Sequence, residues 1–360
     1  MDPRLEPLLD KLPAWLQPGG PDSDVVVASR VRLARNLAAR RFPALLATEE
    51  AREICQMARD RLSSFFQDGL ILEPSGFRGA DADLLVERSL ATRDLLDAPR
   101  PTLVLFNGEE SVGLLVNEED HFRIQAFASG LNLQVAIRSA QPLSRRLARS
   151  FDLARSARYG WLTACPTNTG TGLRASLLLH LPALSRARIP LQRMLQTAQK
   201  SFLAVRGVHG EGSRALGHLY QISNQRTLGT DLGQQLHVIE DFGGEVTRYE
   251  REVRQALLRD DANRRALIAD VERAYLQLND AEGLSTAEAL EALSTLRLAM
   301  LCGLSPELGY DLDPERLLTD SFQIQPGHLQ ARIGAELDPG QRDASRARLL
   351  RDSLGLKGKG

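Results

Sequence analysis

The sequence predicts an α+β fold, a strand-rich body to about residue 230 followed by an all-helical region. Three observations carry this. Between 102 and 129, apolar runs alternate with turn signals: TLVLF, then Asn107-Gly108, then SVGLLV and FRIQAF. From Asp231 to about Asp280 the apolar residues fall at i, i+3 and i+4 among charges, and glycine nearly disappears after Gly244. A chain of 360 residues with 43% hydrophobic content also suits one large domain or two unequal ones.

The elements follow in order. Leu5–Leu16 reads as a short helix, ended by the Pro/Gly break at Pro18–Pro21. The β-branched run Val25–Val27 opens the folded body as a strand. Residues 48–68 and 131–157 have helical spacing, with the three strands of 102–129 between them. Strands are expected at 161–165 and 174–181, a helix at 191–202, a strand at LAVRGV, a glycine-rich loop, and a strand around Leu219–Ser223. Further helices are expected at 285–302, 313–321 and 341–354, with Gly303–Pro314 as an internal break. The division is a lead segment at 1–23, a body at 24–232 and a helical region at 233–360.

Charge and cysteine usage narrow the function classes. With 45 Lys+Arg against 46 Asp+Glu, the chain is not built around a polyanion, so no direct nucleic-acid binding is expected. Cys55, Cys165 and Cys302 are odd in number and scattered, which gives neither a disulfide framework nor a CxxC metal site. The proline-broken, acidic N-terminal stretch is unlike a secretory signal, and the longest apolar stretches are far too short to span a bilayer. A cytoplasmic protein with no membrane contact is the expectation. All but four of the 45 basic residues are arginines; base composition explains that blandly, whereas bidentate phosphate binding explains it functionally.

Four constellations bear chemistry. In Asn117-Glu118-Glu119-Asp120-His121-Phe122-Arg123, three consecutive acids end an apolar strand, as a metal or cationic substrate would require, or as a solvated turn permits. In Ser29-Arg30-Val31-Arg32, the period-two alternation of a strand places Arg30 and Arg32 on one face, either a phosphate clamp or a charged edge. The run from Cys165 through Gly170 to Ser176 is a small-residue turn entering a strand, whose backbone amides can approach an anion. Cys165 there is either a site residue or a buried small hydrophobe. Arg206-Gly207-Val208-His209-Gly210-Glu211-Gly212 is a mobile closing loop or an ordinary hairpin. Together they supply five arginines on separate elements (Arg30, Arg32, Arg123, Arg174, Arg206) and several acids. That inventory fits a polyphosphate, a divalent metal and a cationic acceptor, and does not fit acyl transfer.

The strings SRVRLARN, NEEDHFRIQ, CPTNTGTGLRAS and RGVHGEGS, in this order, resemble the phosphagen (guanidino) kinases, and most closely their McsB-type protein-arginine kinase branch. LRASLLLHLPAL and QISNQRTLG add specificity, and the likeness runs from about Pro21 to Leu354. The body is expected to begin by residue 25, so the helical domain that precedes the core of small-substrate phosphagen kinases is not expected here. Arg342-Asp343-Ala344-Ser345-Arg346-Ala347 fits the RDxxRA pattern of a phosphoarginine-binding pocket. One helical turn separates Arg342 from Arg346, so both could reach one phosphoryl group, although a solvated helix face has the same spacing.

The resemblance implies a phosphagen-kinase-like catalytic domain with a central antiparallel sheet flanked by helices, then a helical domain carrying the phosphoarginine motif. It implies ATP and Mg²⁺ as cofactors. ATP would lie on Ala28, Ser29, Arg30, Val31 and Arg32, on Arg123, on Arg174, Ala175, Ser176, Leu177 and Leu178, and on Arg206, Gly207, Val208, His209, Gly210 and Glu211. Glu119 would grip the acceptor guanidinium and act as its base, with Glu211 gripping it from the closing loop and Cys165 positioning it. Glu118 would help hold Mg²⁺ through water. Arg342, Asp343, Arg346 and Ala347 would bind phosphoarginine. The implied activity is transfer of the ATP γ-phosphoryl group to arginines of proteins, marking them for a Clp-type chaperone-protease or inactivating a repressor. An McsA-like activator and a homodimer or larger assembly are implied partners. A free-arginine kinase and a silent phosphoarginine reader are the alternatives. The chain departs from the family pattern at Ala28, where serine is usual, at Ser89 in place of histidine, and at His209 in place of an aromatic residue.

Overall fold

The computed structural model describes residues 1–208 and 215–356. The lead segment forms two 3-10 turns, Glu6–Leu8 and Ala14–Leu16, where one helix was expected. Pro13 explains the difference: it lacks an amide and disfavours helical backbone in the residue before it. Leu5, Leu8, Trp15 and Leu16 are nonetheless buried.

The body is an eight-stranded sheet in which every ladder is antiparallel, with spatial order β2-β3-β4-β5-β1-β8-β10-β9. Its strands are β1 (Val26–Arg35), β2 (Leu70–Leu72), β3 (Leu103–Phe106), β4 (Val112–Val116), β5 (Phe122–Ser129), β8 (Leu173–His180), β9 (Leu203–Gly207) and β10 (Leu219–Asn224), while β6 (Arg155–Ser156) and β7 (Gly160–Trp161) form a small hairpin. The strand expected over 161–165 stops at Trp161, because Asp120 captures the Ala164 amide and Pro166 starts a 3-10 turn. Helices α1 (Thr48–Leu62), α2 (Gly79–Glu87), α3 (Arg93–Leu96), α4 (Leu133–Ser150), α5 (Pro182–Arg186), α6 (Arg188–Lys200) and α7 (Leu232–Arg259) surround the sheet. The C-terminal helices are α8 (Asp261–Asp280), α9 (Thr286–Leu301), α10 (Ser305–Leu308), α11 (Pro314–Gln323), α12 (Pro326–Ile333) and α13 (Pro339–Leu354).

Alternation gives the sheet two unlike faces. Val31, Leu33, Ile124, Ala126, Ala175, Leu177 and Ile222 form one, buried in a core shared with Ala136, Ile137 and Ala140 of α4 and Leu236 and Ile239 of α7. Centred on β1, the other face is polar. It is bounded by apolar packing at one end through Val104, Phe106 and Leu115 against α2, and at the other through Ala28, Phe127 and Leu219 against Trp15 and Phe322.

Several contacts fasten the helical region to the body, among them Arg186 on Asp270 of α8 and Trp15 against Phe322 of α11. Glu87 at the end of α2 accepts the amides of Gly327 (2.7 Å) and His328 (2.8 Å), so a body carboxylate caps α12. A Cβ at Gly327 would stand 2.4 Å from the Leu84 nitrogen, which is why glycine permits this approach. On α9, Arg297 donates to the carbonyls of Ser23, Asp24 and Pro314 and lies 2.6 Å from His180 Nδ1. No helix among the described residues is long and apolar enough to cross a membrane.

Candidate active site

The arginines converge on the polar face. Arg32 pairs with Gln125 of β5 on one side and Arg174 of β8 on the other; Arg30 pairs with Phe127 and Ser176; Ala34 pairs with Arg123. On the far strands, Arg206 pairs with Gln221, which pairs with Leu178. Antiparallel partners share a face, so Arg30, Arg32, Arg123, Arg174 and Arg206 all stand on the same side of four strands. Ala28, Ser176 and Leu178 lie there too. By the same alternation the side chains of Ser29, Val31, Ala175 and Leu177 point into the helix-covered core, leaving only their backbones for a ligand. The Ser29 hydroxyl instead donates to the Gly130 carbonyl and accepts the Asn132 amide at the start of α4.

Like charges this close need compensation. Arg30 donates to Gln221 Oε1 at 3.3 Å, and Arg174 to Ser223 Oγ at 3.4 Å. The Nε atoms of Arg32 and Arg174 are buried without a hydrogen-bond partner among the described residues. Burial, then Arg123 and Arg174, push the Arg30 guanidinium down to about 10. Burial and the neighbouring arginines push Arg32 well below its ordinary value. A polyanion laid on this face would supply the missing partners.

The acidic turn borders this face. Glu118 is buried, paired with Arg123 through one oxygen and accepting the Thr92 hydroxyl (2.9 Å) through the other. Glu119 is 41% exposed at the mouth of the site, 2.9 Å from Arg123 Nη2 and 3.4 Å from Asn168 Nδ2. Asp120 turns away. Its Oδ1 accepts Asn36 Nδ2 at 2.6 Å and the Ala164 amide at 2.8 Å, tying the acidic turn to the loop of Cys165. Cys165 lies 3.0 Å from the Thr167 hydroxyl. The backbone of the turn is left-handed at Asn117 (φ 59°), whose side chain donates to Ala51 and Pro101 while Arg100 donates to the Asn117 and Glu118 carbonyls.

His121 is fully buried and accepts the Leu37 amide on Nδ1 at 3.2 Å. Burial first, and nearby arginines, lower it from 6.5 to about 4. The neutral ring therefore stabilises the fold fully above pH 6.5, and that contribution is lost as pH falls from 6.5 towards 4. Unfolding titrations in urea are expected to show about 2 kcal/mol less stability at pH 5 than at pH 7.5 from this group, with the difference reduced in His121→Gln. An equal loss in the variant would exclude His121 as the source.

Sequence reasoning missed Thr92, Arg100, Asn36, Asn168 and Gln221. Asn36, Asn168 and Gln221 stand in the strings SRVRLARN, CPTNTGTGLRAS and QISNQRTLG, which do not reveal their partners, while Thr92 and Arg100, 26 and 18 residues from Glu118, lie in no motif. Ser89 (φ 61°) contributes a carbonyl to Gln125 Nε2 at 2.8 Å, on the edge of the arginine face. His209, Gly210 and Glu211 lie outside the described residues. In the C-terminal motif Arg346 is 1% exposed and donates to the Ile324 carbonyl (3.1 Å), the Leu284 carbonyl and Asp343 (2.7 Å). Arg342 donates to Leu337 (3.0 Å), and Ala347 is buried. Arg346 is thus already held by backbone oxygens, unlike the free clamp that helical spacing alone allows.

Among the described residues no three His, Cys, Asp or Glu side chains gather into a metal cage. Mg²⁺ commonly rides on substrate phosphates with few protein ligands. The fit here is of that kind, with the buried Glu118 carboxylate beside the phosphate-ready arginines.

An antiparallel sheet presenting a row of arginines beside two glutamates is the arrangement that the phosphagen-kinase resemblance implies. Residues 50–253 match the family model of the ATP:guanido phosphotransferase C-terminal catalytic domain, and residues 264–359 match that of the protein-arginine kinase McsB C-terminal domain. The chain is 37% identical over 358 residues to a protein-arginine kinase of Shouchella clausii, covering 97% of each chain. It is 35% identical to the protein-arginine kinase of Bacillus subtilis, covering 98% of this chain and 96% of the relative. The chain belongs to the protein-arginine kinase family. Among solved structures, the duplicated taurocyamine kinase of Schistosoma mansoni with bound transition-state analogue components matches with TM-score 0.58 and 28% identity, over 68% of this chain and 35% of that one. Lombricine kinase shares the fold (TM-score 0.58, 23% identity), over 69% of this chain and 71% of that one.

Proposed function

We propose that the protein transfers the γ-phosphoryl group of ATP to the guanidinium of arginine side chains in other proteins. The observation that carries this reading is the row of five arginines on one sheet face ending at Glu118 and Glu119. A guanidinium is no nucleophile while protonated, so a carboxylate must orient it and take its proton. Glu119, exposed at the mouth, has that role. The acceptor nitrogen attacks the γ-phosphorus in line, its proton passes to Glu119, and ADP leaves. Arg30, Arg32, Arg123, Arg174 and Arg206 neutralise the charge spread over the transferring group. Mg²⁺, when bound with the nucleotide, supplies further neutralisation and alignment of the phosphates. Glu118, beside Arg123 and accepting the Thr92 hydroxyl, would help hold it through water. Cys165 positions the acceptor beside Asn168, and Glu211 is assigned the second grip on the guanidinium.

In this reading the catalytic unit runs from 24 through α7, whose Leu236 and Ile239 pack into the sheet core, beyond the boundary at 232 that the sequence texture suggests, and the helical unit that follows carries Arg342, Asp343, Arg346 and Ala347 as a phosphoarginine-responsive element. Marking for a Clp-type chaperone-protease, inactivation of a repressor, an McsA-like activator and self-association belong to the same reading. The test is incubation of the pure protein with Mg-ATP and an arginine-rich unfolded protein, with free L-arginine in a parallel tube, following acid-labile phosphate. Label on the protein alone is the expected result. Label on free arginine would replace this reading with a small-guanidine kinase, and label on neither, with or without an activator, would leave a phosphoarginine reader.

A further inference from the structure

The turn that carries Glu118 and Glu119 is closed by the hydrogen bond from the Asn117 backbone amide to the His121 carbonyl (3.0 Å), so the hairpin of β4 and β5 needs no outside brace. It has one nonetheless. The segment from Thr92 to Pro101 grips the turn at three points, and the phosphoryl-transfer chemistry described above does not use its charged member, Arg100. Arg100 Nε donates to the Asn117 carbonyl at 3.0 Å, and Nη2 donates to the Glu118 carbonyl. The Asn117 side-chain amide returns the hold, donating to the Pro101 carbonyl at 3.0 Å and to Ala51 of α1 at 2.9 Å. Thr92, the N-cap of α3, donates its hydroxyl to Glu118 Oε1 at 2.9 Å.

Peptide planarity determines what the guanidinium fixes. The Asn117 carbonyl lies in one plane with the Cα of Glu118, and the Glu118 carbonyl with the Cα of Glu119. Two N–H groups of one rigid fork therefore orient the peptide planes that lead into both carboxylates. Arg100 is itself flanked by Pro99 and Pro101. Each proline locks its own φ and restricts the residue before it, so the arm presenting Arg100 has little freedom to swing.

Folding alone gives Arg100 a small part. It is half-buried and lines a cavity of about 560 Å³ together with Arg52, Arg59 and Glu73. Water reaching this cavity can replace the guanidinium on the two carbonyls at little cost. A water molecule satisfies a carbonyl without fixing its direction, whereas a planar fork on a stiff arm does both. The loss on removing Arg100 is thus one of aim, and it falls on Glu119, which is 41% exposed and stands at the mouth of the site.

We infer that Arg100 is a positioning residue for phosphoryl transfer, clamping the two peptide groups that aim Glu118 and Glu119 at the nucleotide and the acceptor. Unlike the five arginines of the sheet face, it acts through the backbone of the turn rather than on a ligand. The inference rests on the reading that these two glutamates serve the reaction.

The test uses the full chain and two variants. Arg100→Met keeps an unbranched side chain and loses both donors, and Arg100→Lys keeps the charge but not the fork. The kcat for a protein acceptor is expected to fall about 10²-fold in Arg100→Met, as a displacement of roughly 1 Å at catalytic groups costs, and about tenfold in Arg100→Lys. Mg-ATP affinity and the thermal midpoint are expected to stay close to wild type in both. Hydrogen exchange is followed in parallel by mass spectrometry at the Asn117 and His121 amides, which the turn protects through the His121 carbonyl and Asn36 Oδ1. It is expected to quicken in Arg100→Met at these amides while β1 is unchanged. A kcat within about threefold of wild type in Arg100→Met, or unchanged exchange at the turn, overturns the role. A lowered midpoint with exchange raised across the whole sheet makes Arg100 a support of the fold and overturns it too. If the wild type itself transfers no phosphate, the reading of the reaction falls, and exchange alone judges the clamp: quickened at the turn in Arg100→Met supports it, unchanged overturns it.

Discussion

Glu119→Gln is expected to reduce phosphoryl transfer to a protein acceptor by about 10³, within the 10²–10⁴ range that general-base removal commonly costs, while nucleotide affinity changes little. Glutamine is close to isosteric, and its carbonyl can still accept the Arg123 hydrogen bond that Glu119 receives at 2.9 Å. What it loses is the negative charge that orients a guanidinium and the capacity to take its proton. Arg123 keeps its second partner, the buried Glu118, so the arginine row stays in register. The measurement is the initial rate of acid-labile phosphate formation beside a nucleotide Kd from equilibrium binding. A rate within tenfold of wild type would remove Glu119 from the proton step. A matching loss of ATP affinity would make it a nucleotide ligand instead.

The comparison between Glu119 and Asp120 shows where sequence reading stops. Strand periodicity alone places Arg30 and Arg32 side by side, and the sheet confirms the geometry because alternation is a local rule. The texture change after Thr230 marks the helices from Leu232 onward for the same reason. In contrast, three adjacent acids give no local hint that they part company. Asn117 in a left-handed conformation starts the turn, and Asp120 ends up on Asn36 and Ala164, 84 and 44 residues away. Pairings at that range depend on which strands neighbour each other, which periodicity does not encode. Arg346 is a similar case. Helical spacing puts it one turn from Arg342, but the carbonyls that hold it come from Ile324 and Leu284, on segments that only the packed C-terminal helices bring near. The short helices α2, α3, α5 and α12 escaped notice because each is too brief to show a 3.6-residue period.

The arginine face also separates what the fold needs from what the reaction needs. Arg32 sits directly opposite Arg174, its Nε has no partner among the described residues, and its charge is disfavoured first by burial and then by Arg30, Arg123 and Arg174. A base that is harder to protonate in the fold than in the unfolded chain weighs against folding at neutral pH. Arg32→Leu is therefore expected to raise the thermal midpoint of the nucleotide-free protein, because an apolar side chain replaces a half-buried cation crowded by like charges. Transfer is expected to fall by about 10²–10³, as for loss of one preorganised donor to a developing anion. The two effects meet in the ligand: the wild type gains stability on adding Mg-ATP by mass action on the native state, and the variant gains much less. Thermal melts with and without Mg-ATP, run beside the transfer assay, read all three. A lower midpoint in the nucleotide-free variant would mean that Arg32 holds the sheet together, and an unchanged Mg-ATP shift would mean that the phosphates lie elsewhere. If the expected pattern holds, the instability of five gathered guanidiniums is the physical reason the face binds polyphosphate. The like charges stand together before any nucleotide arrives, on strands already paired in one sheet.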